Sequence, residues 1–234
     1  MDQLNFKPKD FVHLHLHSDY SLLQSTIKLK PLAARLGELG MQACSLTDYG
    51  NMYGAVSFYK IMKEAKIRPI IGYEAFVTSG SRFDRDLALR AGERPYYNLV
   101  LLAKDLEGYQ NLVYLSSKAF TEGLHHKPRL DNEILSERSG GLIALSAGAN
   151  GALSHFLRQG DPARARETAD QYKSIFGKDF YIEIADNGTD DGRTLVADLI
   201  GLARESDIPL VAANDAHYLN KDDARAHEVL LCIG

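Results

Sequence analysis

Short apolar runs alternate along the whole chain with stretches whose apolar residues recur at helical spacing. The runs occupy residues 11–17, 42–47, 69–77, 97–103, 141–146, 179–185 and 209–213. Helical patterns lie at 31–40, with Pro31 in the first turn and Gly40 near the end, and at 55–65, on the spacing of Ala55, Phe58, Tyr59 and Met62. Others lie at 106–119, 162–175, 191–206 and 222–232, which makes six helical patterns among seven strand-like runs. Such alternation predicts an α/β fold with a parallel sheet and outer helices, either a closed barrel or an open doubly wound sheet. The glycine-rich phosphate turn of open-sheet nucleotide binders is missing after the first run, where His17-Ser18-Asp19-Tyr20-Ser21 stands, so a barrel is favoured. Residues 78–95 and 121–131 hold most of the local charge and read as surface loops rather than linkers, which leaves a single domain over 1–234.

Composition adds limits. A chain of 234 residues, 45% of them apolar, can bury one sizeable core. No stretch approaches the roughly 18 uninterrupted apolar residues of a membrane span. Residues 1–7 do not read as a signal peptide, so a cytoplasmic chain without membrane contact is expected. Cys44 and Cys232 form no Cys-x-x-Cys pair, which argues against a disulfide framework or zinc ribbon. A net charge of -4 supplies no basic field, so any grip on DNA must come mainly from elsewhere.

The candidate chemistry sits at the two ends. In His13-Leu14-His15-Leu16-His17, strand alternation turns three imidazoles to one face. Asn214-Asp215-Ala216-His217 stands near the other end, and a barrel sets its first strand beside its last, which would join the two clusters. The other strand ends offer Asp48, Tyr49, Glu74, Asn98, Gly148 and Asn187. Two imidazoles and two carboxylates suit zinc, manganese or iron and metal-assisted hydrolysis, although buried His and Asp can simply pair with one another. Asp48 reads equally as an orienting partner for an imidazole or as a turn residue. Glu183 faces either the barrel mouth or solvent. His125 and His126 read as loop residues, and His155 and His227 as surface or helix-packing residues. Arg82, Arg85, Arg90 and Arg94 read as a solvated loop, with a phosphate contact as the minority view.

Several segments are more specific. His15-Leu16-His17-Ser18-Asp19-Tyr20-Ser21, Leu46-Thr47-Asp48-Tyr49-Gly50-Asn51, Ile71-Gly72-Tyr73-Glu74 and Asn214-Asp215-Ala216-His217 resemble the polymerase and histidinol phosphatase (PHP) domain. Together with Leu102-Ala103-Lys104-Asp105, Gly108-Tyr109-Gln110-Asn111 and Asp222-Asp223-Ala224-Arg225-Ala226-His227, they are most similar to the branch of that family that opens bacterial DNA polymerase III alpha subunits. The resemblance implies a distorted (β/α)7 barrel, the PHP fold. It also implies an N-terminal fragment whose palm, fingers and thumb, with the polymerase magnesium ions, lie further along a longer chain. The partners it implies are those domains, a proofreading exonuclease subunit and other replicase subunits, with DNA held mainly by the missing domains.

The same resemblance assigns His15, His17, Glu74 and Asp215 to a first metal, with Glu74 as a bridge, and His217 to a third. The second and third sites are depleted: Asn98 and Gly148 stand where a His and a Cys or His are expected, and Gln24 and Tyr49 where an acidic residue or His and a His are expected. Asn187 replaces another common His. An amide, a phenol and a glycine are poor substitutes. One divalent ion, zinc, manganese or iron, is therefore expected, in a structural and exonuclease-docking module whose multi-metal hydrolysis is degraded. The alternative is an active metal-dependent phosphoesterase, acting as a 3'-5' exonuclease in cis or as a small-molecule phosphatase.

Overall fold

The computed structural model describes residues 7–85, 92–186 and 188–233. In chain order its elements are α1 (Leu29–Glu38), β1 (Ala43–Leu46), α2 (Ala55–Glu64), β2 (Arg68–Val77), β3 (Tyr97–Ala103), α3 (Leu106–Thr121), β4 (Leu124–His125), β5 (Lys127–Leu130), α4 (Asn132–Glu137), β6 (Leu142–Leu145), α5 (Ala152–Arg158), α6 (Pro162–Phe176), β7 (Phe180–Ile184), α7 (Asp190–Ser206), β8 (Leu210–Ala212) and α8 (Ala224–Leu231). Local chemistry explains several helix starts. The side chains of Asp105, Asp131, Asp161 and Thr189 accept the first free backbone N–H groups of α3, α4, α6 and α7, and Pro162 opens α6.

β1 pairs in parallel with β2, β2 antiparallel with β3, β3 antiparallel with β6, and β6, β7 and β8 follow in parallel. The segment 11–17 closes the ring. On one side the Ser45 N–H donates to His13 O at 2.8 Å and the Thr47 N–H to Leu16 O at 2.9 Å. On the other the His17 N–H donates to Ala216 O at 2.9 Å and the Ala216 N–H to His15 O at 3.2 Å. The first and last segments are thus neighbours in a distorted α/β barrel.

Alternation along β3 sorts the core. Leu99 and Leu101 face outward into the main cluster with Leu112 and Leu115 of α3. Val100 and Leu102 face inward, with Leu145 and Ala147, to form the barrel floor, and Leu14, Ile70, Ile143, Tyr181 and Val211 add to it. Phe58 and Met62 of α2 are fully buried against β1. Each such side chain contributes about 1.5–3 kcal/mol.

Four expectations change. The sheet is not all parallel, because β3 opposes both of its neighbours; an apolar run encodes burial but not direction. Residues 11–17 form two isolated bridges, His13 to Cys44 and Leu16 to Ala216, with a bend between them, rather than a regular strand. Residues 121–131 are not merely a surface loop: β4 and β5 form a hairpin, β5 adds to the edge of β2, and Arg129 and Leu130 are completely buried. Residues 78–85 are anchored rather than solvated, since the Arg82 guanidinium pairs with Glu122, Asp131 and Glu133. Arg90 lies outside the described residues. Among the described residues no helix is long and apolar enough to cross a membrane.

Candidate metal centre

The polar cluster sits at one mouth of the barrel, above the apolar floor. Glu74 is inward-facing on β2, paired with Val100 of β3. His15 and His17 come from the closing segment, and Asp215 from the turn just past β8, where its backbone takes the left-handed φ of 46°. Asn98 reaches the same mouth from the start of β3 because that strand runs backwards.

His15 Nε2 and His17 Nε2 each lie 2.9 Å from Glu74 Oε2, 3.2 Å from one another, and 3.4 and 3.3 Å from Asp215 Oδ1. All four ligand atoms fall within 4.8 Å of one another. A tetrahedral ion with bonds of about 2.0–2.1 Å sets its ligands about 3.3 Å apart, so these separations match the edges of such a shell.

Each ring is aimed from behind. His15 Nδ1 donates to Glu183 Oε1 at 2.8 Å, and His17 Nδ1 donates to Ser21 Oγ at 3.0 Å. The Ser21 hydroxyl in turn donates to Asp48 Oδ1 at 2.7 Å. His217 Nδ1 donates to Gln24 O at 2.7 Å. In all three rings Nε2 is left facing the cluster, the arrangement by which outer partners fix a ligating tautomer. Each carboxylate divides its oxygens in the same way. Glu74 Oε1 accepts from Asn98 Nδ2 at 2.8 Å, and Asp215 Oδ2 accepts from Asn150 Nδ2 at 3.2 Å.

Electrostatics follow from this crowding. Burial alone lowers the His15 pKa, but Glu183, Asp215 and Glu74 overcome it and hold the ring well above the usual imidazole value. Burial likewise works against a charged His17, and hydrogen bonds to Asp215 and Glu74 reverse the sign. Burial raises the carboxyl of Glu74, yet His15 and His17 bring it down to about 2; Asp215 is depressed by the same rings. The pocket is built to hold positive charge.

The remaining predicted positions divide. His217 stands one step out, with Nε2 2.9 Å from Asp215 Oδ1. His13 does not join the cluster: the bend separates it, and its ring meets Phe11 edge-on at 5.0 Å. Tyr49 stacks on His17 at 4.1 Å, His217 stacks on it at 4.5 Å, and Tyr49 and His217 lie 5.9 Å apart, so the three rings form one aromatic cluster. Burial, reinforced by Glu74 and Asp215, pushes the Tyr49 hydroxyl far above its ordinary value, so it offers no phenolate. Gln24 presents its backbone oxygen, and Gly148 has no side chain to present. Asn187 lies outside the described residues.

Asp48 is the orienting partner rather than a bare turn residue. His227, read as a surface or helix-packing residue, is half-buried on α8 and packs beside the site: its ring stacks on His217 at 5.4 Å and its Nε2 lies 2.8 Å from Gln24 O. Glu183 could have been found from its alternation with apolar neighbours, but alternation does not say which face lines a barrel. A pocket of about 610 Å³ adjoins the site through Tyr49, Asn98 and Asn150, and its lining includes Arg94 and Lys127 but none of His15, His17, Glu74 and Asp215.

A distorted α/β barrel with an imidazole and carboxylate cluster at one mouth is the class that this fold and site define. Within it, the family model for the PHP domain matches residues 13–187, and the chain belongs to that family. It is 45% identical over 225 residues to DNA polymerase III subunit alpha of Treponema pallidum, covering 96% of this chain and 19% of the relative. It is 46% identical over 227 residues to that of Thermus aquaticus, covering 95% and 18%. The chain thus spans about a fifth of the length of the curated relatives it matches. Among solved structures, the fold is similar to a candidate metal-dependent phosphoesterase from Bifidobacterium adolescentis, with TM-score 0.53, 12% identity and coverage of 95% and 96%. An amidohydrolase from Chromobacterium violaceum gives TM-score 0.58, 11% identity and coverage of 94% and 96%.

Proposed function

We propose that this chain is the PHP module of a DNA polymerase III alpha subunit, a single domain that holds one divalent cation on His15, His17, Glu74 and Asp215. The ion is zinc, manganese or iron, for which two imidazoles and two carboxylates are a suitable donor set. In this reading the module works in the cytoplasm as a structural part of the replicase. It packs against the polymerase domains, which hold the magnesium ions and most of the DNA, and it docks a proofreading exonuclease subunit. His217 buttresses Asp215 rather than completing a further ion site.

The observation that carries the reading is the uneven ligand set. Four donors lie within 4.8 Å of one another, whereas Asn98 is committed to donating to Glu74, Tyr49 to stacking, and Gly148 has nothing to offer. Hydrolysis of a phosphoester by several ions needs the donors that these positions do not provide. The pocket beside the cluster, whose lining includes Arg94 and Lys127, favours a second reading, a residual metal-dependent phosphoesterase acting on a 3' end or a small phosphate ester.

Metal analysis of the purified chain, with incubation on a 3'-labelled primer in zinc or manganese, separates the two. One bound ion, lost in His15→Ala, and no primer shortening are expected. Two or more tightly bound ions would remove the single-site reading, and robust primer shortening abolished by His15→Ala would establish the phosphoesterase. Retention of a proofreading exonuclease subunit in a pull-down checks the docking role.

A further inference from the structure

Glu183 touches the cluster without offering it a ligand atom. It projects from β7 into the barrel, is fully buried, and places Oε1 2.8 Å from His15 Nδ1. Its other oxygen, Oε2, is buried with no hydrogen-bond partner among the described residues. That is an unusual arrangement, because a carboxylate removed from water with one oxygen unanswered destabilises a fold, and an apolar side chain of similar size would avoid the loss. A packing role alone does not account for it. His15, moreover, is the imidazole whose back meets a charge directly; His17 meets the neutral Ser21 hydroxyl, with Asp48 one bond further away.

The surroundings keep Glu183 in place and in force. Its backbone N–H donates to Ser146 Oγ at 2.9 Å, and its strand register opposite Val211 fixes which way the side chain points. Gly148 lies beside it with a left-handed φ of 46°, and a Cβ there would come within 3.3 Å of Oε1. The glycine that supplies no ligand leaves Glu183 room to reach the ring.

Resting on the reading of His15, His17, Glu74 and Asp215 as a cation site, we infer that Glu183 is a positioning residue: it fixes His15 with Nδ1 protonated, aims Nε2 at the ion, and adds a third carboxylate charge that strengthens cation binding. Partners of this kind, behind a ligating imidazole, typically change metal affinity by about 10–100-fold.

Zinc dissociation constants measured by competition with a chromophoric chelator test it, for the wild-type chain, Glu183→Gln, Glu183→Ala and His15→Ala. Glu183→Gln keeps an acceptor but loses the charge, and binding about 10-fold weaker is expected; Glu183→Ala loses both, and about 100-fold is expected. In the zinc-bound protein labelled with 15N-histidine, the His15 Nδ1 proton should resonate downfield in the wild type and in Glu183→Gln. In Glu183→Ala it should move to the position of an unbonded imidazole. A purely structural role would not move that signal. Thermal melts in chelator show whether each variant folds, and should Glu183→Ala fail to, the near-isosteric Glu183→Gln decides alone. Wild-type affinity in Glu183→Gln overturns the inference, and so does an unshifted His15 proton in Glu183→Ala. If His15→Ala also binds zinc as the wild type does, the cation-site reading itself has failed; if it loses zinc while both Glu183 variants keep it, only the role of Glu183 has.

Discussion

With no metal bound, His15 itself supplies the positive charge that Glu74, Asp215 and Glu183 call for, and this fixes how the protein responds to pH. The folded-state pKa of His15 is raised, so its contribution to stability is complete below the unfolded imidazole value of 6.5 and is lost as pH rises through the folded value. Glu74 behaves in the opposite sense: its folded value is about 2, so its contribution is complete above the unfolded value of 4.5 and is lost as pH falls toward 2. The pair is therefore most stabilising between about 4.5 and 6.5. A divalent cation must displace the imidazole protons, so its binding tightens as pH rises. In calorimetry with chelator the melting temperature should fall as pH is raised above 6.5, and with saturating zinc that fall should vanish. A melting temperature in chelator that stays flat or climbs over that range would contradict the raised imidazole pKa.

The residues of the cluster were legible in the sequence because histidine and carboxylate at strand ends are rare enough to be noticed. Their orienting partners were harder to see. Asp48, Ser21 and Glu183 are ordinary residues for a turn or a strand, and only the direction in which each points makes it a partner.

Among the elements, α3, α6 and α7 were readable from apolar spacing, with Asp105, Pro162 and Ser206 near their ends. The reversed β3 and the β4–β5 hairpin were not, since strand direction depends on which edge is free to pair, and β5 is only four residues long. The two aspartate caps on either side of that hairpin differ in what else they do. Asp105 accepts the Gly108 N–H at 3.0 Å and little more, so Asp105→Ala should cost about 1 kcal/mol. Asp131 caps α4 through Ile134, and it also accepts from the Arg82 backbone at 2.8 Å and from its guanidinium at 3.0 Å while almost fully buried. Asp131→Ala leaves that guanidinium short of a buried partner and should cost about 3 kcal/mol. Urea denaturation of the two variants checks the order; equal losses would mean that the Arg82 network contributes nothing beyond the cap.

At the scale of the whole molecule, the adjacency of the two ends could be read from the seven apolar runs, because a closed barrel has only one way to join its first and last members, although the first run holds only by bridges and the β4–β5 hairpin adds two short strands. What the pattern could not convey is how slight the closing contacts are. The segment 11–17 holds to its neighbours through isolated bridges, reinforced by the Thr47 hydroxyl on Leu16 and the Ser25 hydroxyl on His17 O and His217 O. The cluster lies across this join, so an ion bound there would tie it together.

That closure also sets the order of events in time. Ser25 and His217 are 192 positions apart, and no metal-ready cluster exists until the region around residue 215 has been made and has docked against the region around residue 15. We expect contacts of such long range, costly in loop-closure entropy, to form late in folding. An ion that needs both ends cannot guide the chain toward its fold and can only retain it once formed. Stopped-flow measurements should then show zinc slowing unfolding while the refolding rate stays the same. A faster refolding rate in zinc would mean that the two ends meet early. During synthesis on the ribosome, the nascent barrel would stay without its ion until its last strand emerges, and metal capture would mark the moment at which the domain is complete.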